Sequence, residues 1–428
     1  MKDSSLDAMI LADIAVILLI GVAISPLRTR LRQPVVVGEM AAGLLLGPSV
    51  LGLLPGDIPG LLVPQTVRPH LGTIAQVGIA LFMFIAGWEL DFHPLRGRLR
   101  SVLTITTASL AVPFTLAVVL TAVLVAQHPT VTPPGTPAGV FVLFMGIVMS
   151  ISALSVLIRI IGENGLHNTP VGTMATTSGA ITEAVAWCSV VALITATHGG
   201  GSAHCLRTLV QVGLYALVMA CLVRPLLHWL LHRKRQGGHP LLLTLVISSG
   251  VLLSSCATAW LGIHSVLGAF AFGLIMPRDI SPDLRRSIEG PLQHTGALLI
   301  PVFFALTGLS VDITKLGLAG ALELAAFLCV AGAGKFAGTF VGARIAGLPH
   351  HDATLLAAFL NTRGLSEVIM LTIGRNAGII TDEVFTAMLL TALMVTATVN
   401  PLVRHLMARA RARTTCLPLQ VSRKQPVN

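Results

Sequence analysis

The sequence predicts an all-α polytopic membrane protein of about thirteen transmembrane helices. It is expected to fold as an inverted repeat in which two helices are discontinuous and cross. Three observations carry this. Hydrophobic residues make up 54% of the 428 and charged residues 11%, with a mean hydropathy of +0.85, whereas a soluble chain carries roughly 25% charge. Apolar runs of about 20 residues, each long enough to cross a bilayer, recur along the whole chain. Segments from the first half also return in the second half, in the same order.

In chain order the runs fall at roughly 8–26, 35–54, 71–90, 101–126, 138–161, 170–196, 206–231, 239–261, 263–277, 292–311, 318–347, 353–375 and 383–407. They leave no room for a soluble domain, and the residues after Met407 read as a short, basic, disordered tail. The first run follows only Lys2, Asp3 and Asp7, precedes Arg28, Arg30 and Arg32, and lacks a small-residue cleavage site. It reads as a retained span rather than a signal peptide.

The net charge of +10 would suit a nucleic-acid partner, but its placement does not. With loops assigned alternately to two sides, 21 of the 28 Lys and Arg fall on one side and 5 on the other, with Lys335 and Arg363 within spans. The 21 include Arg96, Arg98, Arg100, Arg224, Arg233, Arg278, Arg285, Arg286 and the tail. This is the positive-inside asymmetry. It puts the N-terminus outside and the C-terminus in the cytoplasm, and it supports an odd number of spans. The six cysteines are scattered without a C-x-x-C, and the histidines show no ligand spacing, so neither a disulfide framework nor a metal site is expected. His264 reads as a packing residue or a pH-sensitive accessory rather than a ligand.

"LFMFIAGWELD" (81–91) returns as "VFFALTGLSVD" (302–312), matching Phe82 with Phe303, Gly87 with Gly308 and Asp91 with Asp312. "VGEMAAGLLL" (37–46) returns as "LGAFAFGLIM" (267–276), matching Gly38 with Gly268 and Gly43 with Gly273. The copies lie seven spans apart, and an odd separation turns the second upside down. Inverted repeats with a midplane binding site are an architecture of secondary transporters. The same offset relates the fifth span to the twelfth. The twelfth carries Asn361, Thr362, Arg363, Gly364, Ser366 and Glu367 at its centre, and the fifth carries Ser150, Ser152 and Ser155. Both are expected to be broken helices, which survive in lipid only where the freed backbone is buried or lines a cavity. Carbonyls at the broken ends can coordinate a cation, and the opposed dipoles need compensating charge, here Arg363 and Glu367.

A lone charge at bilayer centre costs about 2.5–3.5 kcal/mol on insertion scales, so three places need a reason. Arg363 and Glu367 are spaced i, i+4 and can pair, as a structural element first. Glu183 shares a helical face with Thr176 and Gly179, and Thr182 beside it offers a hydroxyl. Lys335 lies among glycines and alanines near mid-span, and Glu183 is the partner expected for it. Glu323 is expected nearer a membrane face.

Five stretches, "QPVVVGEMAAGLLLGPSVLG", "ALFMFIAGWELDF", "GIHSVLGAFAFGLIMP", "FFALTGLSVDI" and "LNTRGLSEVIMLTIGRNAGII", together make the chain resemble the monovalent cation:proton antiporter-2 family of the sodium/hydrogen exchanger superfamily, nearly end to end. The resemblance implies the sodium/proton antiporter-like fold. Residues 1–100 and 236–315 would form a dimerisation scaffold, 101–200 and 316–407 an ion-carrying core, 201–235 a connector and 408–428 a basic cytoplasmic tail. The core would move against the scaffold like an elevator.

The implied protein is a transporter and not an enzyme. It would exchange Na+, K+ or Li+ for protons, serve pH homeostasis, and sit as a homodimer in the inner (plasma) membrane without cofactor. The transported cation would be its only metal. Glu183 matches the second position of the family's Asp-Asp or Asn-Asp pair, with Thr182 in the first. Lys335 matches the lysine of its "GKxxG" stretch. Ser152 stands for a threonine in the first broken helix, and Ser155 for its usual proline. The expected ion- and proton-binding set is Glu183, Thr182, Ser152 and Thr362, with Lys335 coupled to it and Arg363 and Glu367 compensating the helix breaks. With Thr182-Glu183 in place of the usual pair, a proton-coupled exporter of a drug or metabolite on the same scaffold is the alternative.

Overall fold

In hydrocarbon every backbone N–H and C=O needs a partner within the chain, and long apolar runs meet that need as helices. The computed structural model describes residues 2–31, 33–53, 55, 58–89, 99–166, 169–197, 201–233, 240–261 and 264–415, and all regular structure among them is helical. Eleven of the described helical segments are long and apolar enough to cross a membrane, or twelve when the bent pair His350–Leu360 and Leu365–Asn376 counts as one. The ninth expected span is the exception. Helix α12, Ser265–Ile275, has 11 residues, which at 1.5 Å per residue covers about half of a hydrocarbon core. Its repeat mate α2, Val35–Leu46, is equally short at 12 residues.

Two groups of helices pack mainly within themselves. The first contains α1 (Lys2–Arg30), α2, α4 (Arg68–Glu89), α11 (Pro240–Trp260), α12 and α13 (Pro282–Leu309). The second contains α5 (Leu99–Gln127), α6 (Ala138–Ser150), α7 (Leu154–Glu163), α8 (Pro170–Thr197), α14 (Gly317–Leu328), α15 (Lys335–Ile345), α16 (His350–Leu360), α17 (Leu365–Asn376) and α18 (Asp382–Thr415). Between them runs the seventh span, α9 (Gly201–Val218) and α10 (Arg224–Arg233), joined by a π-turn at Met219–Val223. It touches α8 on one side and α12 on the other. A short helix α3, Ile58–Leu62, lies in the loop after α2.

Residues 408–415, expected to be disordered, are helical. Helix α18 continues unbroken from Asp382 to Thr415, past Met407. Leu402, Leu406 and Met407 pack against the core, and the basic turns beyond continue the same hydrogen-bond ladder. Residues 416–428, Asp91, Arg96, Arg98, Lys234 and Arg235 lie outside the described residues.

The repeat is visible in the packing. Helix α2 crosses α13 so closely that a β-carbon on Gly308 would fall on the backbone of Gly43, and one on Gly43 would fall on the carbonyl of Phe304. Helix α4 crosses α12 in the same way. A β-carbon on Gly87 would come within 3.2 Å of Gly273 Cα, and one on Gly273 within 3.0 Å of Gly87 Cα. Since Gly43 corresponds to Gly273 and Gly308 to Gly87, one contact is the symmetry mate of the other. Transmembrane helices lack a hydrophobic drive toward one another, so close backbone approach at small residues is what joins them.

This packing makes Gly308→Ala destabilising by about 1–3 kcal/mol, the usual cost of overpacking. Gly21→Ala, where nothing lies within 4 Å of the added carbon, is expected to be silent. Thermal melting in detergent compares the two; equal melting temperatures would refute the close crossing.

Candidate functional site

Both expected breaks are present. Helix α6 ends at Ser150 and α7 begins at Leu154, while α16 ends at Leu360 and α17 begins at Leu365, bent by 43°. The broken backbones satisfy each other. The Ala153 N–H donates to the Thr362 carbonyl at 3.0 Å, and the Thr362 hydroxyl to the Ala153 carbonyl at 3.4 Å. The Ser152 hydroxyl donates to the Leu360 carbonyl at 2.6 Å. At Gly364 the backbone is extended, so glycine is required by space: a β-carbon would meet the Val156 side chain at 2.6 Å.

Charges around the crossing follow the helix dipoles, cations at carbonyl ends and anions at N–H ends. The Arg363 guanidinium donates to the carbonyls of Met149 at 2.6 Å and Val148 at 3.4 Å, in the last turn of α6. It also reaches the Ala331 carbonyl at 3.0 Å, which lies in the π-turn Cys329–Gly334 that interrupts the eleventh span. The Lys335 ammonium donates to the Ser150 carbonyl. At the opposite ends, the Leu154 N–H opening α7 donates to Glu183 Oε2 at 2.9 Å, and the Ser366 hydroxyl in the first turn of α17 donates to Glu183 Oε1. Glu183, Lys335, Arg363 and Glu367 are at most 1% exposed.

One expected pairing does not form. Lys335 binds the Ser150 carbonyl and faces the charges of Arg363 and Glu367, whereas Glu183 binds Leu154 and Ser366. The physical reason is the break itself. Lysine is drawn to the carbonyl end of α6 and glutamate to the N–H ends of α7 and α17, so each charge is answered by a helix terminus. The buried ion pair among the described residues is Arg363 with Glu367, at 2.6 Å.

The remaining expected site residues divide. Ser152 and Thr362 are spent on the crossing, and the Thr182 hydroxyl, beside Glu183, donates to Gly179 of its own helix at 2.8 Å. Sequence reasoning gave no role to Ser366 or Thr396. Ser366 was detectable as a hydroxyl one position into the helix after Gly364. Thr396 was not: its hydroxyl accepts from the Arg363 N–H at 3.0 Å and donates to the Arg363 carbonyl at 2.8 Å, yet it is one threonine in a long apolar helix. Further carboxylates within spans include Asp13 in α1, Glu39 in α2 and Glu89 in α4. Glu39 and Glu89 line a cavity of about 230 Å³ with Ser155, Arg159 and Gln293, between α2, α4 and α13 on one side and α7 on the other. A second cavity, of about 220 Å³, lies at the other end of the same seam, lined by Gln76, His264, Ser310, Thr372 and Arg375. Glu323 is half-buried, with His128 and Glu383 in its surroundings.

Comparison with known proteins finds relatives over nearly the whole chain. Residues 14–408 match the family described as sodium/hydrogen exchanger, transmembrane. The chain is 33% identical to the Na+/H+ antiporter NhaS4 of Synechocystis, over 94% of this chain and 98% of that one. It is 32% identical to cation/H+ antiporter 20 of Arabidopsis thaliana, over 94% of this chain and 49% of that one. It is 29% identical to K+/H+ antiporter 1 of Saccharomyces cerevisiae, over 87% of this chain and 43% of that one. The chain thus spans about half the length of the plant and yeast relatives. The structure of the sodium/proton antiporter MjNhaP1 from Methanocaldococcus jannaschii superposes with a TM-score of 0.63 at 12% identity, covering 96% of this chain and 98% of that one.

Removing one partner of a buried ion pair leaves an uncompensated charge and costs about 3–5 kcal/mol, so Arg363→Ala is expected to lower thermal stability and the yield of folded protein. Double-mutant cycles test the assignment of partners. Arg363→Met with Glu367→Gln should show a large coupling energy. Lys335→Met with Glu183→Gln should be additive to within about 0.5 kcal/mol; strong coupling in this second cycle would restore the pairing that the structure lacks.

Proposed function

The chain belongs to the sodium/hydrogen exchanger family, and from that premise we propose that it exchanges a monovalent cation, Na+, K+ or Li+, for protons, with Glu183 as the group for which the two compete. The observation that carries this reading is the Glu183 carboxylate buried where the N-termini of α7 and α17 meet. A single carboxylate does not hold a proton and a cation together, so binding one expels the other. Alternating exposure to the two sides turns that competition into exchange, one proton per cation.

The hydroxyls beside Glu183 suit the change of occupant. A hydroxyl that donates to a carboxylate can rotate and offer lone pairs instead. Ser366 would thus donate to the bare carboxylate and accept when a cation arrives, with Thr182 as a further oxygen. Lys335, Arg363 and Glu367 hold the breaks open and neutral. The site lies wholly within the second helix group, and the two cavities lie along its seam with the first. This supports an elevator in which α5–α8 and α14–α18 carry the ion past a scaffold that dimerises. The basic side would face the cytoplasm and the membrane would be the plasma membrane. The two cavities along the seam, of about 220 and 230 Å³, are below the roughly 300–1,000 Å³ of drug-binding pockets. The larger apolar cavity of about 590 Å³ around Tyr215, Leu253 and Phe272 is lined by none of the site residues. This favours an inorganic ion over a bulky solute at this site.

Dequenching of a pH dye in everted vesicles, on addition of each alkali cation, tests the activity. Wild-type protein should respond to at least one. Glu183→Gln should abolish the response with the protein still folded, and Glu183→Asp should retain part of it with a displaced pH profile. Exchange by the Gln variant in proteoliposomes would remove Glu183 from the mechanism. Ser366→Ala is expected to raise the apparent KM for the cation about ten-fold, the effect of one lost contact of about 1.4 kcal/mol; an unchanged KM would exclude Ser366 from the ion shell.

A further inference from the structure

Away from the crossing, at the end of the seventh span, His228 and His232 stand one turn apart on α10, and Asp279 reaches them from the turn between α12 and α13. Asp279 Oδ2 is 3.2 Å from His228 Nε2 and 3.3 Å from His232 Nε2. All three ligand atoms lie within 4.8 Å of one another. From these positions we infer that His228, His232 and Asp279 form a binding site for a divalent transition-metal ion of the zinc class.

Three features support it. In a tetrahedral zinc site with bonds of about 2.0–2.1 Å, neighbouring donor atoms sit about 3.3 Å apart, and the two nitrogen–oxygen distances match that edge. The second feature is the outer hydrogen bond. His232 Nδ1 lies 2.9 Å from the His228 carbonyl, so Nδ1 carries a proton and donates there, and in the neutral ring this leaves the Nε2 lone pair for a ligand. Metal-binding histidines are held in this way. The third is electrostatic. The two imidazole rings stack at 3.9 Å with 13° between their planes, a geometry in which two protonated rings would repel. One metal ion supplies the positive charge that both nitrogens and the carboxylate face. Side-chain exposures of 54%, 31% and 60% leave room for entry and for water at the fourth position.

The i, i+4 histidines are a ligand spacing that the sequence reading passed over, because the third ligand comes from a distant turn. The bound ion would tie the connecting span to the α12–α13 turn of the first helix group. The site is independent of Glu183 and does not rest on the exchange reaction.

The test uses the full chain purified through a tag without histidines and stripped with a chelator. Titration with Co2+ should give the visible absorption of a tetrahedral or five-coordinate complex at one ion per chain, displaced by Zn2+, and Zn2+ should raise the melting temperature. His232→Ala and Asp279→Asn should each weaken Co2+ binding by at least about ten-fold while their metal-free melting temperatures match the wild type. His351→Ala, outside the cluster, should bind as wild type does. Unchanged Co2+ affinity and stoichiometry in both His232→Ala and Asp279→Asn would overturn the site, as would the absence of binding at submillimolar Co2+ in the wild type.

Discussion

A helix broken inside a membrane exposes backbone groups that lipid cannot satisfy, and this fold depends on how two such breaks satisfy each other. Residues 151–153 and 361–364 lie across one another, and Ala153 with Thr362 exchange the bonds that neither could make alone. The crossing leaves helix ends pointing inward. It is stable only if each end meets the opposite charge, and this determines the location of every buried charge in the second helix group.

Arg363 illustrates how much one residue is asked to do. It neutralises Glu367, binds two carbonyls closing α6 and takes up the carbonyl of Ala331 in the π-turn. A planar guanidinium with donors in fixed directions suits this better than an ammonium. Lys335, a point charge on a flexible stem, serves the single Ser150 carbonyl. Glu183 is then the one buried carboxylate of the crossing without a cationic side chain bound to it. Its partners are a backbone N–H and a hydroxyl, and these bind it more weakly than a fixed cation would. That leaves it suited to exchanging occupants, while Glu367 is held by its salt bridge.

The first helix group solves a simpler problem. Its crossings at Gly43, Gly87, Gly273 and Gly308 join helices by backbone contact and expose no broken helix ends that need neutralising. The two short helices, α2 and α12, are the ones pressed against the long helices α13 and α4. Small residues at these points let rods of unequal length share one apolar slab.

The sequence by itself determined the helical membrane architecture, because hydropathy and charge counts follow directly from composition. It also determined the repeat, because glycines at close crossings cannot be replaced without clash, and the two breaks, because polar residues inside a long apolar run have few other physical explanations. The i, i+4 pairing of Arg363 with Glu367 was legible for the same local reason. The tertiary structure decided which charges meet. Glu183 and Lys335 are both mid-span and opposite in sign, and sequence distance says nothing about which helix terminus each one faces. Thr396 and Ser366 became visible only once α17 and α18 were brought to the break, and Asp279 only once a remote turn reached α10. Such contacts depend on directions between separate helices, and those directions follow from packing the whole chain rather than from any local pattern.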